Sequence, residues 1–272
     1  MPRFWIERAL MPLAPAWALR RMGAAMQAEQ LMRAYDAARP SRATKGWRRP
    51  STSARAEDLP ALKALRNGAR DLVRNSPWAK KAAAQLPAHL VGTGVVPRPM
   101  AGADRTRQRA MAAWEEWAAA TDVECGAGFD AQQALVARTV VESGEALVVW
   151  DAAPRAPGGY TTRVLEPDYL DETLNEVSRN GSGRIIGGIE VDAQGRRVAY
   201  HMWREHPGDL MPVLSARGER VRVPAANVDH VFHRVRPGQM RGIPWLAASM
   251  LGIRELGDYV EAERWRKKIA AA

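Results

Sequence analysis

IIGGIEVDAQGRRVAYHMW, residues 185–203, decides the fold class. Asp192-Ala193-Gln194-Gly195 is a turn signal between two β-friendly runs, so the stretch reads as a β-hairpin. In the second run Val198, Tyr200 and Met202 recur every two residues and share one face of a strand. Before residue 144 the apolar period is helical; after it the period is that of strands. The sequence therefore predicts an α+β fold, a helical N-terminal half followed by a mixed strand and helix region.

Working outward toward the N-terminus, YTTRVLE (160–166) and EALVVW (145–150) are strand candidates joined by the Pro/Gly-rich loop 151–159. A helix over Asp130–Glu142 ends at Ser143-Gly144. Another opens at Asp104, with Met111, Trp114, Trp117 and Ala118 on one face, which predicts core-facing tryptophans. Ser76-Pro77 starts a helix through about Leu90, and Asp58 is an N-cap with Pro60 in the first turn. Residues 16–36 read as a helix, and 38–55, rich in Pro, Gly, Ser and Thr, as an extended basic arm. Toward the C-terminus come RVRVP (220–224) and VDHVFHRV (228–235), then HRVRPGQMRGIPWL (233–246). That last stretch crowds three turn signals before a helix expected from Ile243 onward, striped by Leu246, Met250, Leu251, Ile253, Leu256 and Tyr259. It reads as a joint that sets the helix direction. The resulting division is 1–56 (helix and basic arm), 57–242 (α+β region) and 243–272 (a connecting helix).

At 272 residues and 46% hydrophobic, the composition is that of a globular chain. Its apolar runs are too short to span a membrane. The apolar N-terminus has Arg20-Arg21 on the wrong side for a signal peptide, so a cytoplasmic, non-exported protein is expected. Cys125 is the single cysteine, which excludes an intrachain disulfide and a cysteine-based zinc site. It reads as a small packed residue. The net charge of +10 is split: residues 1–110 hold 21 Lys+Arg against 7 Asp+Glu, the rest 19 against 23. Such segregation points to a polyanionic partner, a solubilising surface, or an acidic face on another copy.

The motifs for catalysis are weak. G-x-x-x-x-G-K-[ST] and G-x-S-x-G are absent, and Gly181–Gly187, a poor dinucleotide fingerprint leading into a strand, reads as a connecting loop. His230 and His233 would face opposite sides of a strand, and HPGD (206–209) reads as a turn, so the expectation is no metal, no cofactor and no catalytic residue. Glu166, Asp168, Asp171 and Glu172 cluster within LEPDYLDET. They suit either a Mg²⁺-dependent nuclease or, as the better reading, solvated or intersubunit ion-pair partners. The strongest binding signal is the arm, where Arg39, Arg42, Lys45, Arg48 and Arg49 flank Trp47 and suit phosphate neutralisation with base stacking. A merely solvating arm, or a non-ring DNA-binding adaptor built on it, are the alternatives. Arg236 and Arg241, with Asp168 and Asp171, are candidates for contact with a neighbouring subunit.

A series of segments occurs in one order. They are AYDAA (34–38), LRNGARDLVRNSPWAKKAAAQLPAHLVGTGVVPRP (65–99), WEEW (114–117), SGEALVVW (143–150) and LEPDYLDE (165–172). GGIEVDAQGRRVAYHMWREHPGD (187–209), VFHRVRPGQMRGIPWL (231–246) and LGDYVEAER (256–264) complete it. In this succession the chain closely resembles the lambda-type family of tailed-phage portal proteins from about residue 34 onward. The resemblance implies a wing-like α+β architecture in a non-enzymatic virion protein assembled in the host cytoplasm. It implies a ring, typically of twelve copies, at one head vertex, through which double-stranded DNA is packaged and ejected. Its partners would be itself, DNA, terminase, and capsid and head-tail connector proteins, with no membrane. It also implies that the sequence covers the N-terminal part of the family, with the stem, clip and channel-lining residues beyond the last helix.

Overall fold

The computed structural model describes residues 11–33, 41–124, 126–177, 183–209 and 218–271. Arg39, Cys125 and AYDAA lie outside them. The chain divides into two units, Met1–Ser51 and Thr52–Ala272. In the first, helix α1 (Pro15–Arg33) matches most of the helix expected over 16–36. Residues 41–46 form a turn closed by Thr44 N–H to Ser41 O at 3.2 Å.

The second unit opens with α2 (Ala54–Asn75), α3 (Pro77–Val91), α4 (Asp104–Ala120) and α5 (Gly128–Ser143). The N-cap of helix α2 lies five residues before the expected Asp58, because Ser53 caps it by accepting from the Ala56 N–H. Pro60 therefore lies inside the helix. Ser76-Pro77 starts α3 as expected, with proline at a position whose N–H has no helical partner. Trp114 and Trp117 of α4 are half-buried rather than buried: they pack with Phe129, and Trp117 stacks on Trp150 at 5.8 Å.

Two antiparallel sheets follow. In the smaller, β1 (Glu145–Ala152) lies between β2 (Tyr160–Leu165) and β8 (Val228–Phe232), with Leu147 opposite both Leu165 and His230. Helix α5 packs on one face of β1, which is why EALVVW is apolar on both faces. The larger sheet has the order β3 (Glu176–Val177), β4 (Gly183–Ile186), β5 (Ile189–Asp192), β6 (Arg197–Trp203), β7 (Arg220–Pro224). Inward side chains of the two sheets, among them Leu147, Val149, Ile189, Tyr200 and Met202, form one core.

The deciding stretch is richer than one hairpin. Gly187-Gly188 makes a further tight turn, so IIGGIEVD is two strands with Ile186 opposite Ile189. The predicted loop at Gly181–Gly187 is thus corrected: Gly183–Ile186 is a strand. The expected face of Val198, Tyr200 and Met202 also needs correction. Glu190 pairs with Ala199 but Val191 with Arg197, so a β-bulge throws Val198 outward while Tyr200 and Met202 stay buried.

The final helix, α6, spans Met250–Ala270 and not Ile243 onward. Gly242–Leu246 is held in irregular backbone by the Gly242 N–H to Glu145 and the Trp245 N–H to Val141 O. Its start packs with Val73, Ala79 and Ala83 through Leu246, Met250 and Ile253. Beyond that turn Leu256, Tyr259, Trp265 and Ile269 are exposed, and none of α6 is buried.

Candidate functional site

Gly144 and Gly242 allow two backbones to touch. A Cβ on Gly144 would lie 2.5 Å from the Ile243 carbonyl carbon, and one on Gly242 2.1 Å from Gly144 O. Gly144 also ends α5 with φ 94°, a conformation glycine adopts without strain. The approach sets Arg241 beside Glu145, the first residue of β1. Gln239 completes the loop, accepting from the Val235 N–H at 2.8 Å and donating to Arg241 O at 2.9 Å.

Both side chains of the Glu145–Arg241 pair are fully buried. Arg241 Nε donates to Glu145 Oε1 at 2.7 Å, while the Gly242 N–H and His230 Nε2 both reach Glu145 Oε2 at 2.7 Å. Arg241 further donates to Gly187 O, Pro167 O and Glu172. Burial alone would raise the Glu145 pKa, but Arg241 and the His230 hydrogen bond hold it well below the ordinary carboxylate value. Arg197 Nη1 lies 3.0 Å from His230 Nδ1. A guanidinium only donates, so Nδ1 accepts and the ring proton sits on Nε2, facing Glu145. Burial accordingly holds His230 below its ordinary value, despite the pull of Glu145, and the imidazole is neutral.

Glu172 links this pair to α2, where Arg66 and Arg70 stand one turn apart. Arg66 Nη1 is 2.7 Å from Glu172, and Arg70 Nη2 is 2.7 Å from Asp168 and 3.2 Å from Glu166. Arg70 Nε also donates to Ser143 Oγ. Asp168 is pushed up by burial but held below its ordinary value by Arg66 and Arg70. SGE, LEPDYLDE, GGIE, RPGQ-x-RG and the 65–99 segment therefore meet at one place, far apart as they are in sequence.

The acidic candidates thus have partners inside the chain. Asp168 is held by two arginines. Asp171 is buried, accepts from the Thr173 N–H and hydroxyl, and lies 3.2 Å from Arg220. Arg241 is interior, whereas Arg236 is half-exposed and 2.6 Å from Glu57. Part of the charge asymmetry along the sequence is therefore matched within one chain, basic α2 against the acidic 166–172 segment. Donor atoms of Glu166, Asp168 and His206 lie within 4.8 Å of one another, a set that fits a metal ion. Arg66 and Arg70 already place two positive charges there, and a cation would have to displace them. Of the arm candidates, Arg42, Lys45, Trp47, Arg48 and Arg49 are exposed, and the Arg49 guanidinium sits 5.1 Å over the Trp47 ring.

Sequence reasoning passed over Glu145, His230, Arg66 and Arg70 as partners. The one visible signal was a glutamate opening an otherwise apolar strand, a position that demands a buried counter-charge.

The ionic network thus joins α2, β1 and the turn at Gly187. The chain belongs to the lambda family of phage portal proteins, whose family model matches residues 40–272. A probable portal protein of Halomonas phage phiHAP-1 is 28% identical over 244 residues, which cover 86% of this chain and 47% of that relative. The chain spans about half the length of that curated relative.

Proposed function

We propose that this chain is the wing part of a portal subunit, which forms a ring at one vertex of a tailed-phage or prophage head. DNA passes through the ring during packaging and ejection, and terminase, capsid and head-tail connector proteins dock on it. The assembled protein belongs to the virion and is put together in the host cytoplasm. Family membership over residues 40–272 carries the reading. Two features support it. The exposed apolar side chains of α6 suit burial against a neighbouring copy, and no helix among the described residues is long and apolar enough to cross a membrane.

The arm fits a DNA-facing role in the same assembly, with Arg42, Lys45, Arg48 and Arg49 exposed around Trp47. Arg236 is the interface candidate whose charge still reaches solvent. Light scattering of the complete gene product that carries these residues tests the reading. Particles with the mass of a closed ring, about twelve copies, are expected; a monomer at every concentration would overturn it.

A further inference from the structure

The strongest unassigned feature is a cavity of about 250 Å³ between the N-terminus of α2, the β4–β6 sheet and the loop before Gln239. Arg55, Arg184, Arg197 and Arg234 all line it, and no acidic side chain among the described residues does. None of the four forms an ion pair with a carboxylate among the described residues. This is the reverse of the Arg241 cluster, where each arginine faces a carboxylate.

Arg197 is held in place by neutral groups only: Tyr200 Oη and His230 Nδ1 accept from Nη1 at 3.1 and 3.0 Å, and Met240 O from Nη2 at 3.1 Å. Its orientation is fixed while its charge is left uncompensated. The Phe232 ring lies 5.3 Å from the Arg197 guanidinium and 6.0 Å from that of Arg234, so one ring lies within cation–π range of two of the four charges. Holding four like charges around a small cavity costs free energy unless an anion enters. A guanidinium presents a planar fork of donors matched to phosphate oxygens, and several together suit a group with more than one anionic oxygen.

We propose that this cavity is a phosphate-binding site, occupied by phosphate groups of a nucleic-acid backbone or by free phosphate. It uses none of the arm's residues and does not depend on ring formation. Arg184 and Arg234 are exposed, so replacing them spares the core.

The test compares the 272-residue chain with Arg184→Gln/Arg234→Gln, using pyrophosphate by calorimetry and labelled duplex DNA by anisotropy across a salt series. Pyrophosphate affinity should fall roughly tenfold or more. If the backbone is the source, the slope of log K against log salt should become shallower by about 2. Loss of pyrophosphate binding alone supports the same site with free phosphate as its source. Unchanged binding of both ligands overturns the proposal. So does a change in self-association with phosphate binding intact, which would assign these arginines to carboxylates of a second copy. Circular dichroism verifies folding, and the two single variants are read by the same criteria if the pair melts early. An Arg42→Gln/Arg48→Gln variant of the arm should leave pyrophosphate binding unchanged; its loss there would overturn the assignment to the cavity.

Discussion

Two groups of arginines share the loop 233–242, Arg234 in one and Arg241 in the other, and meet opposite electrostatics. Arg241, Arg66 and Arg70 point into Glu145, Glu172 and Asp168, and the Glu145–Arg241 pair is fully sealed from water. Arg55, Arg184, Arg197 and Arg234 surround a cavity that no carboxylate of the described residues lines. The same side chain thus serves two purposes, and burial with charge balance separates them. A dry, balanced pair fixes how two sheets and a helix layer meet. An unbalanced, reachable set has charge left over for a ligand.

Breaking the balanced side should have the largest effect on stability. Arg241→Ala strands Glu145 as an uncompensated charge in the interior, and a loss of about 3–5 kcal/mol in urea unfolding is expected. Adding Glu145→Leu should recover a good part of that loss, since the cost of removing one partner is mostly the charge left behind. If Arg241→Ala unfolds at the same urea concentration as the parent, the pair does not hold the sheets together. The unbalanced side gives the contrasting outcome, because Arg184 and Arg234 should change binding and leave the unfolding midpoint in place.

Acid should distinguish the two regions next. His230 is held below its ordinary pKa of 6.5 by burial, with Glu145 opposing and Arg197 and Arg241 adding to it. Below pH 6.5 the unfolded chain takes up a proton that the folded chain refuses. Its contribution is therefore complete above 6.5 and is lost as pH falls toward the folded value, with a slope of up to about 1.4 kcal/mol per pH unit. Glu145 and Asp168, also held below their ordinary values, contribute above the carboxylate range and lose that contribution on further acidification. Urea midpoints should thus fall steadily from pH 7 to pH 4. His230→Gln, which keeps a donor for Glu145 and an acceptor for Arg197, should flatten the upper part of that fall. An unchanged slope would remove His230 from this account.

Much of the architecture was legible because local patterns carry it: the period change near Gly144, the DAQG turn and the Ser76-Pro77 start. Misplaced features depend on contacts distant in sequence. Val198 leaves its expected face because a bulge shifts register by one residue. Helix α6 begins late because Gly242 and Trp245 bond to Glu145 and Val141 instead of continuing as helix. The acidic run at 166–172 showed its charge but not its partners, since Arg66 lies 102 residues from Asp168. The arginine cavity left no trace in sequence for the same reason, with its four residues contributed by α2, β4, β6 and the 233–240 loop.

The smallest expected effect on stability belongs to Arg236, three residues from Gln239 and on the outer side of the same loop. Its guanidinium is 2.6 Å from Glu57 and also donates to Thr52 O, but both charged side chains are nearly half-exposed. Water screens such a pair, and ordering two long side chains offsets most of what remains. Arg236→Ala should therefore leave the urea midpoint of the isolated chain unchanged, in contrast with Arg241→Ala five positions on. Any role for Arg236 must then be read where another subunit is present. Loss of ring formation by the complete gene product, with an unaltered midpoint, would make it an interface residue. Intact rings would leave Glu57 as its whole purpose. Two arginines of one loop would then be separated by a single physical variable, whether their charge is sealed from water or left within reach of a partner.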